Sequence, residues 1–195
     1  MLEIEDSRSD SELIKDFADG DEGAFNALYC RYRKQLYGFL HNMIPGNNAE
    51  IDEVFEETWL KVIDKLHRYR DDGKFSAWLF RVAKNVFIDR IRKHHADRFV
   101  SIDREDVPDF TAQESGISPE RVLGASDLGK AIVSALQTLP QEQKEVFLLR
   151  EQDLSFKEIS QIQSCSLNTV LSRMRYALQG LRKYLSQIDN GGLLK

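Results

Sequence analysis

The stretch "FSAWLFRVAKNVFIDRIRKHH", residues 75–95, decides how the chain is read. It holds three phenylalanines, a tryptophan and seven basic or potentially basic side chains against a single carboxylate, Asp89. A buried helix has no use for the charges, and an exposed one has no use for the aromatics. At the helical period, Phe75, Trp78, Leu79, Val82 and Val86 share roughly a third of the circumference and form a core-facing stripe. Phe80, Phe87 and Ile91 make a weaker apolar patch beside it. Arg81, Lys84, Asn85 and Arg92 gather on the far side. The spacing of Trp78 from Leu79 and Val82 is a packing spacing, so Trp78 reads as mainly structural. The polar face is either an ordinary solvated surface or a nucleic-acid surface, because basic groups beside aromatics hold phosphates and stack bases. The flanking chain decides between them.

Upstream, the pattern is helical throughout. "DSELIKDFA" sets Leu13, Ile14 and Phe17 on one side and stops at Gly20. "DEGAFNALYCRYRKQLYGFLHNMI" repeats Phe25, Leu28, Tyr29, Tyr32, Leu36, Phe39 and Leu40 at helical spacing until Pro45 and Gly46. "NAEIDEVFEETWLKVIDKLHRY" is a third helix, apolar at Ile51, Val54, Phe55, Trp59, Val62, Ile63 and Leu66. "RDDGK" is a turn leading into the opening stretch.

Downstream, the texture changes at about Asp97. "DRFVSIDREDVPDFTAQESGISPERVLGAS" has two prolines, two glycines, many acids and no sustained period. A structureless run of this length divides two domains more readily than it interrupts one. The chain is therefore expected to be all-α: two small helical domains, 1–97 and 127–195, joined by a flexible linker at 98–126. Helices are expected at 127–138, 141–151, 155–163 and 167–186. In "LSFKEISQIQSCSLNTVLSRMRYAL", Ser155 caps a short helix carrying Ile159 and Ile162, "QSCS" turns, and Ser166 caps the next helix. That is a helix-turn-helix pattern. Val170, Met174, Leu178 and Leu181 read as the inner stripe of the second helix. Asn168, Leu171, Ser172, Arg173 and Arg175 read as outward, where Arg and Asn can meet base edges in a major groove.

Charge supports a nucleic-acid partner by its distribution and not by its total. The net charge is −5, yet residues 61–98 carry +6 and residues 166–186 hold four basic side chains and no acid. Residues 1–60 carry −9, and residues 99–135 carry −4. Two basic zones alternate with acidic ones, and the patch outweighs the sum. The acidic start "MLEIEDSRSD" is no signal peptide and no apolar run matches a membrane helix, so a cytoplasmic protein is expected. Cys30 and Cys165 lie far apart with no C-x-x-C, and are expected to be buried free thiols.

Taken in order, four segments resemble one family, the extracytoplasmic-function sigma factors of bacterial RNA polymerase. "GDEGAFNALYCRYRKQLYGFL" is similar to the family's first conserved helix, and "AEIDEVFEETWLKV" to its polymerase-docking helix. "FSAWLFRVAKNVFIDRIRK" is similar to the promoter-melting and minus-10 helix. "LPQEQKEVFLLREQDLSFKEISQIQSCSLNTVLSRMRYAL" is similar to the minus-35 domain. The resemblance implies that Arg70, Lys74, Phe75, Arg81, Lys84, Asn85 and Arg92 serve minus-10 recognition and strand opening. It implies that Ser166, Asn168, Thr169, Ser172, Arg173 and Arg175 serve the minus-35 element. It implies that Glu53, Glu56 and Glu57 dock on core polymerase, with promoter DNA as ligand and an anti-sigma factor as regulator. The chain departs from the family pattern in three places: the Gln amide of the docking helix is replaced by carboxylate, a phosphate-binding Lys of the last helix is Leu171, and the turn has Ser164 and Cys165 where Gly is usual.

A stand-alone helix-turn-helix regulator with an N-terminal sensor or dimerisation domain is the competing class. A sensor has no need of the acid-poor, aromatic-basic helix at 75–95, which favours the sigma-factor reading. An enzyme is disfavoured. His41, His67, His94 and His95 are scattered, with no metal-ligand spacing except the adjacent pair, which points about 100° apart on a helix and extends a basic surface; there is no nucleophile constellation and no phosphate loop. The expectation is no catalytic residue, no metal, no cofactor and no small-molecule substrate.

Overall fold

The computed structural model describes residues 6–44, 47–69, 73–100 and 127–190, with backbone alone for 94–100, 127–128 and 189–190. Eight α-helices occupy these residues: α1 Asp10–Ala18, α2 Glu22–Met43, α3 Asn48–Leu66, α4 Phe75–Val100, α5 Asp127–Gln137, α6 Gln141–Arg150, α7 Phe156–Gln163 and α8 Leu167–Asn190. Their starts are chemically marked. Ser9 and Ser155 each close a capping box, with Glu12 and Glu158 returning a hydrogen bond to the cap backbone. Asp21 and Asn47 cap α2 and α3 through Gly23 and Glu50 amides. The Ser166 hydroxyl accepts from the Thr169 amide at 3.1 Å and opens α8.

The first half is a bundle of α1 to α4. Phe25, Tyr29 and Phe55 surround Trp59 in edge-to-face contacts, such as Tyr29–Trp59 at 5.0 Å, and Tyr37 packs edge-on against Phe55. Phe39 meets Phe80 of α4 at 5.2 Å. Edge-to-face geometry adds to simple burial by about 0.5–1.5 kcal/mol per pair. At the N-terminal edge, Arg8 ties Asp6, Asp16 and Asp21 together. Arg31 of α2 reaches Asp10 of α1 at 2.5 Å.

The second half wraps α5, α6 and α7 around α8. Val146, Leu149, Ile159, Val170 and Ala177 are buried there. α8 crosses the α5–α6 connection so closely that a Cβ on Gly180 would lie 2.6 Å from Leu139 Cδ2, so a larger residue there would have to displace the Leu139 side chain. The α7–α8 turn is held by Ser164 in the left-handed region at φ 52°, ψ 44°.

The two halves pack on each other: α4 lies against α7, and α2 against α6 and α5. Their buried side chains join into one connected cluster. Residues 101–126, where the linker is expected, lie outside the described residues. The sequence reading left the spacing of the halves free, whereas here they are closed.

Several side-chain placements differ from those expected from helical angle. Ile63 and Leu178 are exposed instead of buried, and Ala177, not Leu178, completes the inner stripe of α8. Cys30 is exposed, and Cys165 is half-buried. Of the weaker patch, Phe80 and Phe87 are as buried as the main stripe, because α4 has neighbours on several sides, α3, α2 and α7, whereas Ile91 is exposed.

Candidate nucleic-acid and polymerase interfaces

Three helix faces carry the residues singled out above. On α3, Glu53 and Glu57 are engaged by Arg90 of α4, which forms an ion pair with Glu53 and reaches Glu57 at 3.3 Å. Lys61 adds a second contact to Glu57 at 3.0 Å, one helical turn on. Lys61 and then Arg90 hold the Glu57 carboxyl below the usual carboxylate range. Glu56 is exposed and has no charge partner among the described residues. Beside it stand Leu60, 66% exposed, and Ile63. Sequence reasoning missed this pair. The signal was Leu60 at i+4 from Glu56, which sets it on the same outward face. An open groove of about 520 Å³ lies between α2 and α3, lined by Tyr29, Arg33, Lys34, Tyr37, Gly38, His41 and Phe55.

On α4, the structure separates the expected residues. Phe75 is a correction: it is 1% exposed and packed against Tyr32, Tyr69 and Trp78, so it fixes the start of α4 and offers no surface to a ligand. Trp78 is half-buried and lies 4.8 Å from the Tyr69 ring, a packing role. Arg81 and Lys84 do sit on the polar face, but both reach into the second half. The Arg81 guanidinium donates to Gln161 Oε1 at 3.4 Å, and Lys84 Nζ lies 2.9 Å from Glu145. Asn85, Arg92 and Lys93 are exposed. Lys74 is exposed just ahead of the helix, and Arg70 lies outside the described residues.

On α8, Asn168 and Arg175 are exposed, and Ser172 is half-buried beside them. The Ser166 and Thr169 hydroxyls are spent on each other and on the cap, 2.8 Å apart. Arg173 is half-buried and leans toward the turn, where its guanidinium donates to Gln163 Oε1 at 2.8 Å and touches Cys165 Sγ at 3.5 Å. Its inward position follows from helical angle: 100° per residue sets Arg173 closer to the buried Val170 side than to Asn168 and Arg175. Arg175 lies over the exposed Tyr176 ring at 5.1 Å, a cation–π contact that sequence reasoning did not select. Leu167 and Leu171 are exposed next to this polar strip.

Described residues that are helical, with a helix-turn-helix whose second helix carries no acid over 166–186, a second basic helix and a carboxylate-apolar face, define the class of DNA-binding proteins that also dock on another protein. Comparison with known proteins narrows it. The Sigma-70 region 2 family matches residues 28–96, and Sigma-70 region 4 matches residues 129–181. The sigma-E factor of Salmonella typhimurium, an ECF (extracytoplasmic-function) RNA polymerase sigma factor, is 27% identical over 178 residues, covering 89% of this chain and 92% of that protein. The ECF sigma factor SigW of Bacillus subtilis is 28% identical over 180 residues, covering 90% and 96%. In fold, the chain is similar to the sigma factor RpoE from Bartonella quintana, solved with the anti-sigma factor NepR. That likeness has a TM-score of 0.64 at 22% identity, over 83% of this chain and 96% of that one. It is likewise similar to CnrH solved with the cytosolic domain of CnrY, with a TM-score of 0.64 at 22% identity over 92% and 99%. The chain belongs to the sigma-70 family and is a sigma factor of the extracytoplasmic-function type, which directs promoter-specific transcription initiation by RNA polymerase.

Proposed function

We propose that this sigma factor divides its work among the three faces described. The outward face of α3, with Glu56, Leu60 and Ile63, docks on core RNA polymerase. A carboxylate row repels phosphate backbones, and the exposed leucine and isoleucine gain by burial against protein. Glu53 and Glu57 are pinned by Arg90 and serve as the rigid flank of that surface. The polar face of α4, with Arg81, Lys84, Asn85 and Arg92, and Lys74 ahead of it, meets the minus-10 region as the strands part. Asn168, Ser172, Arg175 and Tyr176 of α8 meet the minus-35 duplex in the major groove. Arg173 supports that surface by bracing the helix-turn-helix turn. Residues 1–97 and 127–195 act as separate domains once engaged.

The observation that carries this reading is the sorting of charge by face: an acidic-apolar face on α3 and acid-poor polar faces on α4 and α8. The chain has no chemistry of its own in this account and acts in the cytoplasm beside polymerase. No helix among the described residues is long and apolar enough to cross a membrane. An anti-sigma protein regulates it, as the resemblance implies and as the solved complexes of similar fold suggest.

The test is transcription from genomic fragments by core polymerase with and without the purified chain, with sequencing of transcript 5′ ends. The reading predicts new start sites sharing upstream motifs that appear only with the chain. Start sites that are unchanged by its addition would contradict it.

A further inference from the structure

Leu167 and Leu171 lie one helical turn apart on α8 and are 47% and 43% exposed. They stand in a stretch, residues 166–186, that holds four basic side chains and no acid. A single exposed leucine is ordinary. The neighbours of Leu171 give it meaning. Asn168 lies three residues before it and Arg175 four after it, both exposed, so the three side chains form one stripe along the helix with the leucine in the middle. Leu167, at i−4 from Leu171, gives that stripe an apolar edge. Ser166 caps α8 through the Thr169 amide, so the stripe starts in the first turn of the second helix of the helix-turn-helix, the part that meets base edges in such motifs.

Asn168 and Arg175 carry the donors and acceptors that suit adenine and guanine edges. Seven residues separate them, about 10 Å along the helix axis, which matches about three base-pair steps. A side chain midway between them lies at the depth of the base edges. Leucine has no donor or acceptor to offer there, and it stops short of the phosphates that a lysine at the same place would reach. The one methyl group that the major groove displays is the 5-methyl of thymine. Leucine pressed on another edge would strip water from a base donor or acceptor and return no hydrogen bond, which costs free energy.

We infer that Leu171, flanked by Leu167, is a specificity-determining residue that recognises a thymine methyl within the minus-35 element, between the bases met by Asn168 and Arg175. This role rests on the function proposed above and narrows it to a base. An attraction to the methyl and a penalty against the other edges act in the same direction. A protein surface is the competing occupant of the two leucines, but the side chains that share their stripe are an amide and a guanidinium without a carboxylate or a further apolar group. Leu178, two turns beyond Leu171 and 38% exposed, lies past the stripe and serves as the comparison.

The test uses the full chain assembled with core polymerase, and a promoter duplex taken from the transcript-sequencing experiment above. Each thymine of the minus-35 element, on either strand, is replaced in turn by deoxyuracil, which removes the methyl and keeps every hydrogen-bonding group. At one position the parent chain is expected to bind the uracil form about fourfold more weakly, the factor for one buried methyl-sized group. Leu171→Ala is expected to bind the thymine promoter more weakly and to bind the thymine and uracil forms equally. It replaces an exposed residue with a better helix former, so the fold is retained. Leu178→Ala is expected to keep the parental thymine preference. Equal binding of thymine and uracil forms at every minus-35 position by the parent chain would overturn the methyl contact and leave promoter-specific binding, and the functional reading, standing. Weaker core capture by Leu171→Ala and Leu178→Ala alike, with the thymine preference unchanged in what assembles, would also overturn it and give this edge of α8 to a protein. A holoenzyme with no promoter preference of any kind would overturn the functional reading and the methyl contact with it.

Discussion

Lys84 of α4 and Glu145 of α6 form an ion pair 2.9 Å long between side chains that are 14% and 4% exposed, joining two halves that sequence reading separates. Pairs in contact couple by about 0.5–3 kcal/mol in double-mutant cycles. A thermal-unfolding cycle of Lys84→Met, Glu145→Leu and the double variant should return a coupling in that range. The double variant should recover most of what each single loses, since an apolar pair replaces a buried ionic one at little cost. Strict additivity would mean that the two side chains do not meet in solution.

Leu60 and Glu56 provide the test of the docking face. Leu60→Arg and Glu56→Lys change exposed positions, so the unfolding midpoint should move little, within about 0.5 kcal/mol. Capture by core polymerase should fall by tenfold or more, about 1.4 kcal/mol or greater. Capture at parental strength by both variants would place the docking surface elsewhere.

Leu171 stands where family members commonly carry a phosphate-binding lysine, and it is exposed beside Asn168 and Arg175. Leu171→Lys should strengthen binding to minus-35 duplex at low salt in the presence of core enzyme. It should also steepen the slope of log K against log salt by about one unit, the signature of one more phosphate contact. An unaltered slope would move Leu171 off the DNA surface.

Ser164 holds a left-handed conformation that costs a residue with a Cβ roughly 1–2 kcal/mol. Glycine adopts it freely. Ser164→Gly should therefore stabilise the second half by about 1 kcal/mol, read from its denaturant midpoint. Destabilisation by the same substitution would show that the hydroxyl, not the backbone, sets this turn.

Much of the fold was legible because helix starts are written in short motifs. Ser9 with Glu12 and Ser155 with Glu158 are capping boxes, and Gly20 and Pro140 mark boundaries that the structure keeps. The basic and acidic faces followed from helical period. Period failed where one helix touches several neighbours. Phe75 looked available beside a basic face, but Tyr32, Tyr69 and Trp78 close over it. Arg173 is a different case: its helical angle already sets it nearer the buried Val170 side, where Gln163 and Cys165 lie within its reach. Ile63 looked internal, but it sits about 100° around the helix from Val62, off the buried face that Val62 and Leu66 continue. Closure of the halves was invisible for a further reason. Lys84 and Glu145 are 61 residues apart, and each alone reads as an ordinary surface charge.

The central claim is that this chain recognises promoters only as part of polymerase. The direct measurement is a titration of labelled promoter DNA, taken from the transcripts described above, at physiological salt with and without core enzyme. With a net charge of −5 and Arg81 and Lys84 held by the second half, the free chain should bind weakly and without sequence preference. With core enzyme present, binding should become tight and depend on both promoter elements, because the ordering cost is met before DNA arrives. Tight, sequence-specific binding by the isolated chain, unaffected by core enzyme, would contradict the account and favour a stand-alone regulator.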